Sequence, residues 1–97
     1  MALTDITASA VIQAVEEFDR LGHDTFLERH GFGRARRYLL EYNGRSYDSK
    51  AIVGVAHGYL PGQEALESGQ FSGGEGHAVS VLRELGFSVV DGPVDGA

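Results

Sequence analysis

The stretch RRYLLEYNGRSY at residues 36–47 predicts two strands joined by a tight turn. Asn43-Gly44 is the strongest short signal for a type I′ hairpin, since both turn positions need a positive φ. We predict strands at about 36–42 and 45–47, with Leu40 opposite Tyr47 and Tyr42 opposite Arg45. One face of the hairpin then carries Tyr38, Leu40, Tyr42, Arg45 and Tyr47, of which Tyr38, Leu40 and Tyr47 are expected to face the core.

Two helices are predicted before the hairpin. Apolar residues at helical spacing, from Val11 to Phe18, indicate a helix from about 7 to 21, which Gly22 ends as a left-handed cap. Asp24 opens a short second helix that ends at His30. Gly31 then lets Phe32 fold back on the helix.

Two further helices and a strand are predicted after the hairpin. Asp48 is a candidate N-cap for a third helix with apolar spacing from Ile52 to Tyr59, followed by a polar surface loop at 63–70 with a turn near Ser68-Gly69. Residues 72–75 have the Ser-x-x-Glu form of a capping box and open a fourth helix. Residues 87–90 are predicted to add a third strand to the hairpin.

These elements predict a small α+β domain, with four helices packed on a short antiparallel sheet made of the hairpin and the C-terminal strand. A chain of 97 residues supports one core. We expect a domain over residues 1–90 and a tail or truncated interdomain linker over 91–97. The acidic N-terminus and the lack of a long apolar run predict a cytoplasmic protein without a membrane span.

The sequence offers little support for catalysis. There is no cysteine, and the histidines at 23, 30, 57 and 77 have no metal-ligand spacing, so surface or capping roles are expected for them. Gly73-Gly74 before a helix is interpreted as a turn, since no Walker motif follows. We therefore predict no catalytic residue, no metal and no cofactor, and a free-standing enzyme is the weakest hypothesis.

The distribution of charge is more informative than the net charge of -6. Residues 29–50 hold six of the eight cations and two of the 14 acids, a net +4, whereas the remainder carries -10. Arginine can form bidentate bonds with phosphates, and tyrosine can stack or hydrogen-bond to a nucleic acid. The basic stretch therefore indicates either phosphate binding or pairing with acids elsewhere in the chain, and composition alone weighs the two equally.

Several short motifs resemble one known family. They are Asp19-Arg20-Leu21-Gly22, Phe26-Leu27, Gly31-Phe32-Gly33, Tyr47-Asp48-Ser49-Lys50-Ala51-Ile52, Phe71-Ser72-Gly73-Gly74 and Leu85-Gly86-Phe87. Over about 8–90 the chain resembles the amino-terminal head domain of McrA-like type IV HNH restriction endonucleases of the ScoMcrA type. In that family such a head precedes modules that recognise methylated cytosine or phosphorothioate linkages, and an HNH nuclease domain.

The resemblance implies a DNA-engaging fragment without nuclease activity of its own, within a modification-dependent restriction endonuclease. The expected partners are double-stranded DNA, methylated or otherwise modified, and the downstream modules of the same protein. The expected DNA-binding residues are Arg34, Arg36, Arg37, Tyr42, Arg45, Ser49 and Lys50. The alternative is a protein-interaction or dimerisation module, whose acidic surface would meet basic partners and which could form a homodimer.

Overall fold

A computed structural model describes residues 5–34, 37–71 and 77–91 of the chain. Within these ranges the predicted α+β class is confirmed, with four α-helices and one three-stranded sheet. The elements are α1 (Ala8–Leu21), α2 (His23–His30), β1 (Tyr38–Tyr42), β2 (Arg45–Asp48), α3 (Ser49–His57), a 3₁₀ turn (Ser68–Gln70), α4 (Ala78–Glu84) and β3 (Ser88–Asp91).

The sheet has the order β2-β1-β3 and is antiparallel throughout. The predicted register is confirmed, since Leu40 pairs with Tyr47 and Tyr42 pairs with Arg45. Asn43 and Gly44 have φ values of 52° and 79°, the positive pair that a type I′ turn requires. The first strand begins at Tyr38, two residues later than predicted.

The helix ends follow local rules at most positions. Thr7 caps α1 by accepting a hydrogen bond from the Ala10 N–H at 3.1 Å. At the end of α2, Gly31 is left-handed and the Phe32 N–H donates to the Leu27 carbonyl at 2.9 Å, which confirms the predicted Schellman arrangement. A second such arrangement ends α4, where the Phe87 N–H donates to the Leu82 carbonyl at 3.0 Å.

The prediction of a left-handed cap at Gly22 is wrong in detail. Its φ of 88° is positive, but its ψ of 158° is extended. The reason is that α2 begins at the next residue, and the Gly22 carbonyl already accepts the Phe26 N–H at 2.9 Å. Gly22 therefore ends α1 and starts α2 at once.

Helix α3 lies at the centre of the core, and every one of its residues except Lys50 is buried. A Cβ built on Gly54 would lie 2.6 Å from Cζ of Phe32 and 3.0 Å from the Leu66 carbonyl oxygen, and one on Gly58 would lie 2.8 Å from the Ala65 nitrogen. Both glycines thus allow neighbouring segments to approach α3 closely. The 63–67 segment crosses α3, and the Leu66 N–H donates to the Gly54 carbonyl at 2.9 Å.

Three histidines contact residues of other elements, and the expectation of surface or capping roles is wrong for His30 and His57. His57 is buried, and its Nδ1 lies 2.7 Å from the Glu64 carbonyl. Nε2 of His30 lies 2.6 Å from a Glu17 carboxylate oxygen. Nε2 of His23 lies 2.7 Å from Asp48 Oδ1, at an angle outside hydrogen-bond geometry.

The contact between Asp48 and His23 explains why the Asp48 side chain does not cap α3. Asp48 occupies the N-cap position of α3, as predicted, but its side chain accepts no helix N–H. Its carboxylate is buried next to His23, on a neighbouring helix, and is therefore committed to a tertiary contact.

Helix α4 contributes Ala78, Val79, Val81 and Leu82 to the core. The predicted capping box at 72–75 lies outside the described residues. Of the helices in the described ranges, none is long and apolar enough to cross a membrane. In the same ranges no group of three or more His, Cys, Asp or Glu residues could hold a metal ion.

Candidate nucleic-acid interface

The loop between α2 and β1 carries the first predicted arginine, Arg34. Its Nη2 donates to Asp24 Oδ1 at 2.7 Å, and both side chains are exposed, at 67% and 81%. Asp24 lies near the start of α2, so the loop runs back along this helix after the turn at Gly31. An exposed pair of this kind stabilises a fold by about 0 to 1 kcal/mol.

A part-buried hydrogen bond joins Tyr38, which follows Arg37, to Ser49, which precedes Lys50. The Ser49 hydroxyl donates to the Tyr38 carbonyl at 3.0 Å, which joins the start of β1 to the start of α3. The Arg37 guanidinium lies 5.1 Å from the Tyr38 ring centroid. Arg36 lies outside the described residues.

Lys50 is held by neutral groups. Its Nζ lies 5.2 Å from the Phe71 ring centroid and 3.5 Å from Ser68 Oγ. Phe71 packs in turn on Phe32, with ring centroids 6.2 Å apart. These contacts position the ammonium group without neutralising its charge.

Ser49 itself is not presented to a ligand. The residue is 2% exposed, and its hydroxyl is used inside the domain. Its position next to Lys50 in the sequence suggested a surface group, but the first turn of α3 directs it to β1. Ser49 therefore positions the neighbouring cations and is not part of the surface they form.

Tyr42 and Arg45 lie at the other end of the hairpin. Tyr38 and Tyr42 are four residues apart on one strand, a distance of about 13 Å. Arg45 Nη1 donates to Asp19 Oδ1 at 3.3 Å, and the Tyr42 ring packs on Phe87 at 5.8 Å. The structure thus places Tyr42 and Arg45 at the hairpin turn, away from Arg37 and Lys50 at the other end of β1 and β2. Arg34 lies apart from the turn as well, in its pair with Asp24 of α2.

The group at the hairpin turn lines a groove of about 460 Å³ between the hairpin and α1. The Tyr47 hydroxyl donates to Asp19 Oδ1 at 2.9 Å. Burial raises the pKa of Tyr47, and the hydrogen bond to Asp19 raises it further, although Arg45 acts in the opposite direction. The tyrosine is therefore a stable donor that fixes Asp19 where it meets Arg45.

A buried carboxylate holds α1, α2 and the end of α3 together. Glu17 accepts the Tyr59 hydroxyl at 2.5 Å and lies against His30. Burial by itself raises the pKa of Glu17, but the hydrogen bonds from Tyr59 and His30 and the charges of His30 and Arg20 lower it below its ordinary value of 4.5. Burial and Glu17 raise the pKa of Tyr59. The network sets the position of α2 and hence of the loop that follows it.

Arg29 is a cation that the set of expected site residues did not include. It lies in the last turn of α2 and lines a cleft with Ser68, the residue that Lys50 contacts. Arg29 belongs to the basic stretch at 29–50, which could have marked it as a candidate. Its place in the last turn of α2 gave no indication that it lies near the 3₁₀ turn. The distance between Arg29 and the 3₁₀ turn depends on where the 67–69 segment packs against α2.

The comparisons with known proteins agree on one family. A family model described as the ScoMcrA-like N-terminal head domain matches residues 4–91. The solved structure of the type IV phosphorothioation-dependent restriction endonuclease ScoMcrA is similar at 38% identity, with a TM-score of 0.67 over 94% of this chain. The chain spans 14% of the length of that protein. No curated protein matches the sequence. The chain therefore belongs to the family of ScoMcrA-like N-terminal head domains.

Proposed function

We propose that this head domain binds the phosphate backbone of double-stranded DNA through a basic surface, defined as Arg34, Arg36, Arg37 and Lys50. The observation that carries the proposal is the hydrogen bond from Ser49 to the Tyr38 carbonyl, since it fixes the residues next to Arg37 and Lys50 against each other. Arg37 precedes β1 and Lys50 lies in the first turn of α3, and both are proposed to contact the phosphate backbone.

The relatives support DNA as the partner. The similar solved protein is a phosphorothioation-dependent restriction endonuclease, so modified DNA is the ligand class we propose for the full-length protein. We further propose that residues 1–90 form the head and that 91–97 lead to later modules, which would supply modification readout and HNH nuclease activity. The head itself would position the duplex, because phosphate contacts carry no sequence information.

The ion pair between Arg34 and Asp24 weakens phosphate binding only slightly. Arg34 is bound to Asp24, but both groups are exposed, so exchanging the carboxylate for a phosphate costs about 1 kcal/mol or less. The net charge of -6 nevertheless disfavours close approach of DNA on other faces. We therefore expect weak binding that is oriented by the basic surface.

Fluorescence anisotropy with unmodified, methylated and phosphorothioate duplexes at several salt concentrations tests the proposal. Each phosphate contact contributes about 0.9 to the slope of log affinity against log salt. The Arg34→Ala, Arg36→Ala, Arg37→Ala triple variant should flatten the slope equally for all three duplexes. An unchanged slope would exclude this surface, and a loss confined to one modified duplex would indicate readout of the modification.

Two single variants sharpen the test. Asp24→Ala releases Arg34 from its partner and should tighten DNA binding at low salt, with the free energy of unfolding changed by at most about 1 kcal/mol. Arg45→Ala removes a similarly exposed arginine, also paired with an aspartate, at the far end of the hairpin. A slope reduced by Arg45→Ala would extend the contact to the hairpin turn with Tyr42, and an unchanged slope would confine it to the basic surface.

A protein-interaction module is the second candidate, favoured by the outer face of the sheet. Val90 is 38% exposed and pairs in register with Leu39, so two apolar residues adjoin on this open face. Analytical ultracentrifugation separates the two functions. A concentration-dependent dimer, together with no DNA binding at low salt, would favour the interaction module.

A further inference from the structure

We infer that the cleft between the last turn of α2 and the 3₁₀ turn is a phosphate-binding subsite, with Arg29 and Lys50 as its two charged contacts. The inference rests on the proposed function only for the source of the phosphate, which we take to be the DNA backbone. It adds Arg29 to the basic surface, together with a cleft in which one phosphate group could bind.

The cleft has a volume of about 440 Å³. Arg29, His30 and Gly31 line it from α2, and Ser68 and Gly69 line it from the 3₁₀ turn. Lys50 lies at its margin, with Nζ 3.5 Å from Ser68 Oγ. The lining thus includes one arginine and one serine, and the Lys50 ammonium group lies next to that serine.

The charges of Arg29 and Lys50 are uncommitted. In the part of the chain that the structure describes, neither has a carboxylate within ion-pair distance, whereas Arg34 and Arg45 each have an aspartate. Lys50 is oriented by an aromatic ring and a hydroxyl, which leave its charge available. Among the described residues, an incoming phosphate would thus displace no carboxylate from either cation.

Two carboxylates and a helix end also face the cleft, and internal hydrogen bonds hold Glu67 and the helix end. Glu67 accepts the Gln70 backbone N–H in a capping box, so its carboxylate is held by the turn, while Glu28 is exposed. The carbonyls of Leu27 and Glu28 at the end of α2 accept the N–H groups of Phe32 and Gly31. These internal bonds weaken the repulsion that an open helix C-terminus would exert on an anion.

A titration of the 97-residue chain with inorganic phosphate at constant ionic strength, followed by amide NMR, tests the subsite. We expect saturable shifts at Arg29, Ser68 and Gly69. The Arg29→Gln, Lys50→Gln double variant should abolish them, whereas Arg45→Gln, Arg83→Gln, with the same change in net charge and outside the basic surface, should retain them. Thermal unfolding of both variants establishes that they are folded. Equal loss in both variants would mean long-range electrostatics and would overturn the subsite.

DNA titration of Arg29→Gln separates this inference from the proposed function. The slope of log affinity against log salt should fall by about 0.9, since one phosphate contact is lost. DNA binding with an unchanged slope and no phosphate shifts would overturn the subsite and leave the proposed function standing. Phosphate shifts in the cleft without any DNA binding would overturn the proposed function and leave the subsite.

Discussion

Replacing Gly54 by alanine sets two effects of known size against each other. In a helix interior, alanine is favoured over glycine by about 1 kcal/mol. The new Cβ, however, would lie 2.6 Å from Cζ of Phe32 and 3.0 Å from the Leu66 carbonyl oxygen. Both distances are far inside van der Waals contact, so Phe32 or the 63–67 backbone must move.

Neither neighbour can move cheaply. Phe32 is 7% exposed and is anchored by its N–H bond to Leu27, and the Leu66 N–H is bonded to Gly54 itself. Overpacking of a core costs about 1 to 3 kcal/mol, and two contacts justify the upper end. Net of the propensity gain, Gly54→Ala should lower the free energy of unfolding by about 2 kcal/mol.

Thermal unfolding followed by far-UV circular dichroism measures this change. A loss of 2 kcal/mol lowers the Tm of a domain of this size by about 8 to 16 °C. Gly33→Ala is the matched control, because nothing lies within 4 Å of its Cβ and its φ is not positive. Its Tm should be unchanged or raised. A raised Tm for Gly54→Ala would refute the close approach, since helix propensity would then dominate.

Three further predictions concern the buried polar groups. Glu17→Gln should destabilise the domain by about 1.5 to 3 kcal/mol in urea unfolding, because charge-assisted bonds from Tyr59 and His30 are weakened; an unchanged midpoint would contradict this. Because the pKa of Glu17 is lowered on folding, its contribution is present above pH 4.5 and should be lost as the pH falls through the folded pKa, an acid dependence that Glu17→Gln should remove. The pKa of Tyr47 is raised on folding, so its contribution is complete below pH 10 and lost at higher pH; Tyr47→Phe should cost about 0.5 to 1.5 kcal/mol near neutral pH through the lost bond to Asp19, and should remove this alkaline loss.

Much of the fold was predictable because the signals are local. The turn at Asn43-Gly44, the cap at Gly31 and the apolar spacing of α1 each depend on backbone angles or periods within a few residues. The same holds for the register of the hairpin, since a two-residue turn determines which residues oppose each other. The predicted backbone conformation was wrong where a second element imposed its own geometry. At Gly22, α2 begins at the next residue and the backbone is extended in ψ.

The candidate site was predictable only as a set of residue types. The clustering of cations between 29 and 50 is visible in the sequence, but their exposure and partners are not. Ser49 is buried, Arg34 is paired with an aspartate from α2, and Lys50 is held by an aromatic ring 21 residues away in the sequence. Each of these facts depends on contacts between separate segments.

The α+β class, the hairpin, the glycine cap of α2 and the family could be read from the sequence, because they follow from local geometry and short motifs. The contacts that each cation makes were visible only in the tertiary structure. That structure separated Arg45 from Lys50 by the length of a strand, and it brought Arg29 to the 3₁₀ turn. The physical reason is that side-chain pairing depends on distances of a few ångströms between elements, and core packing sets those distances.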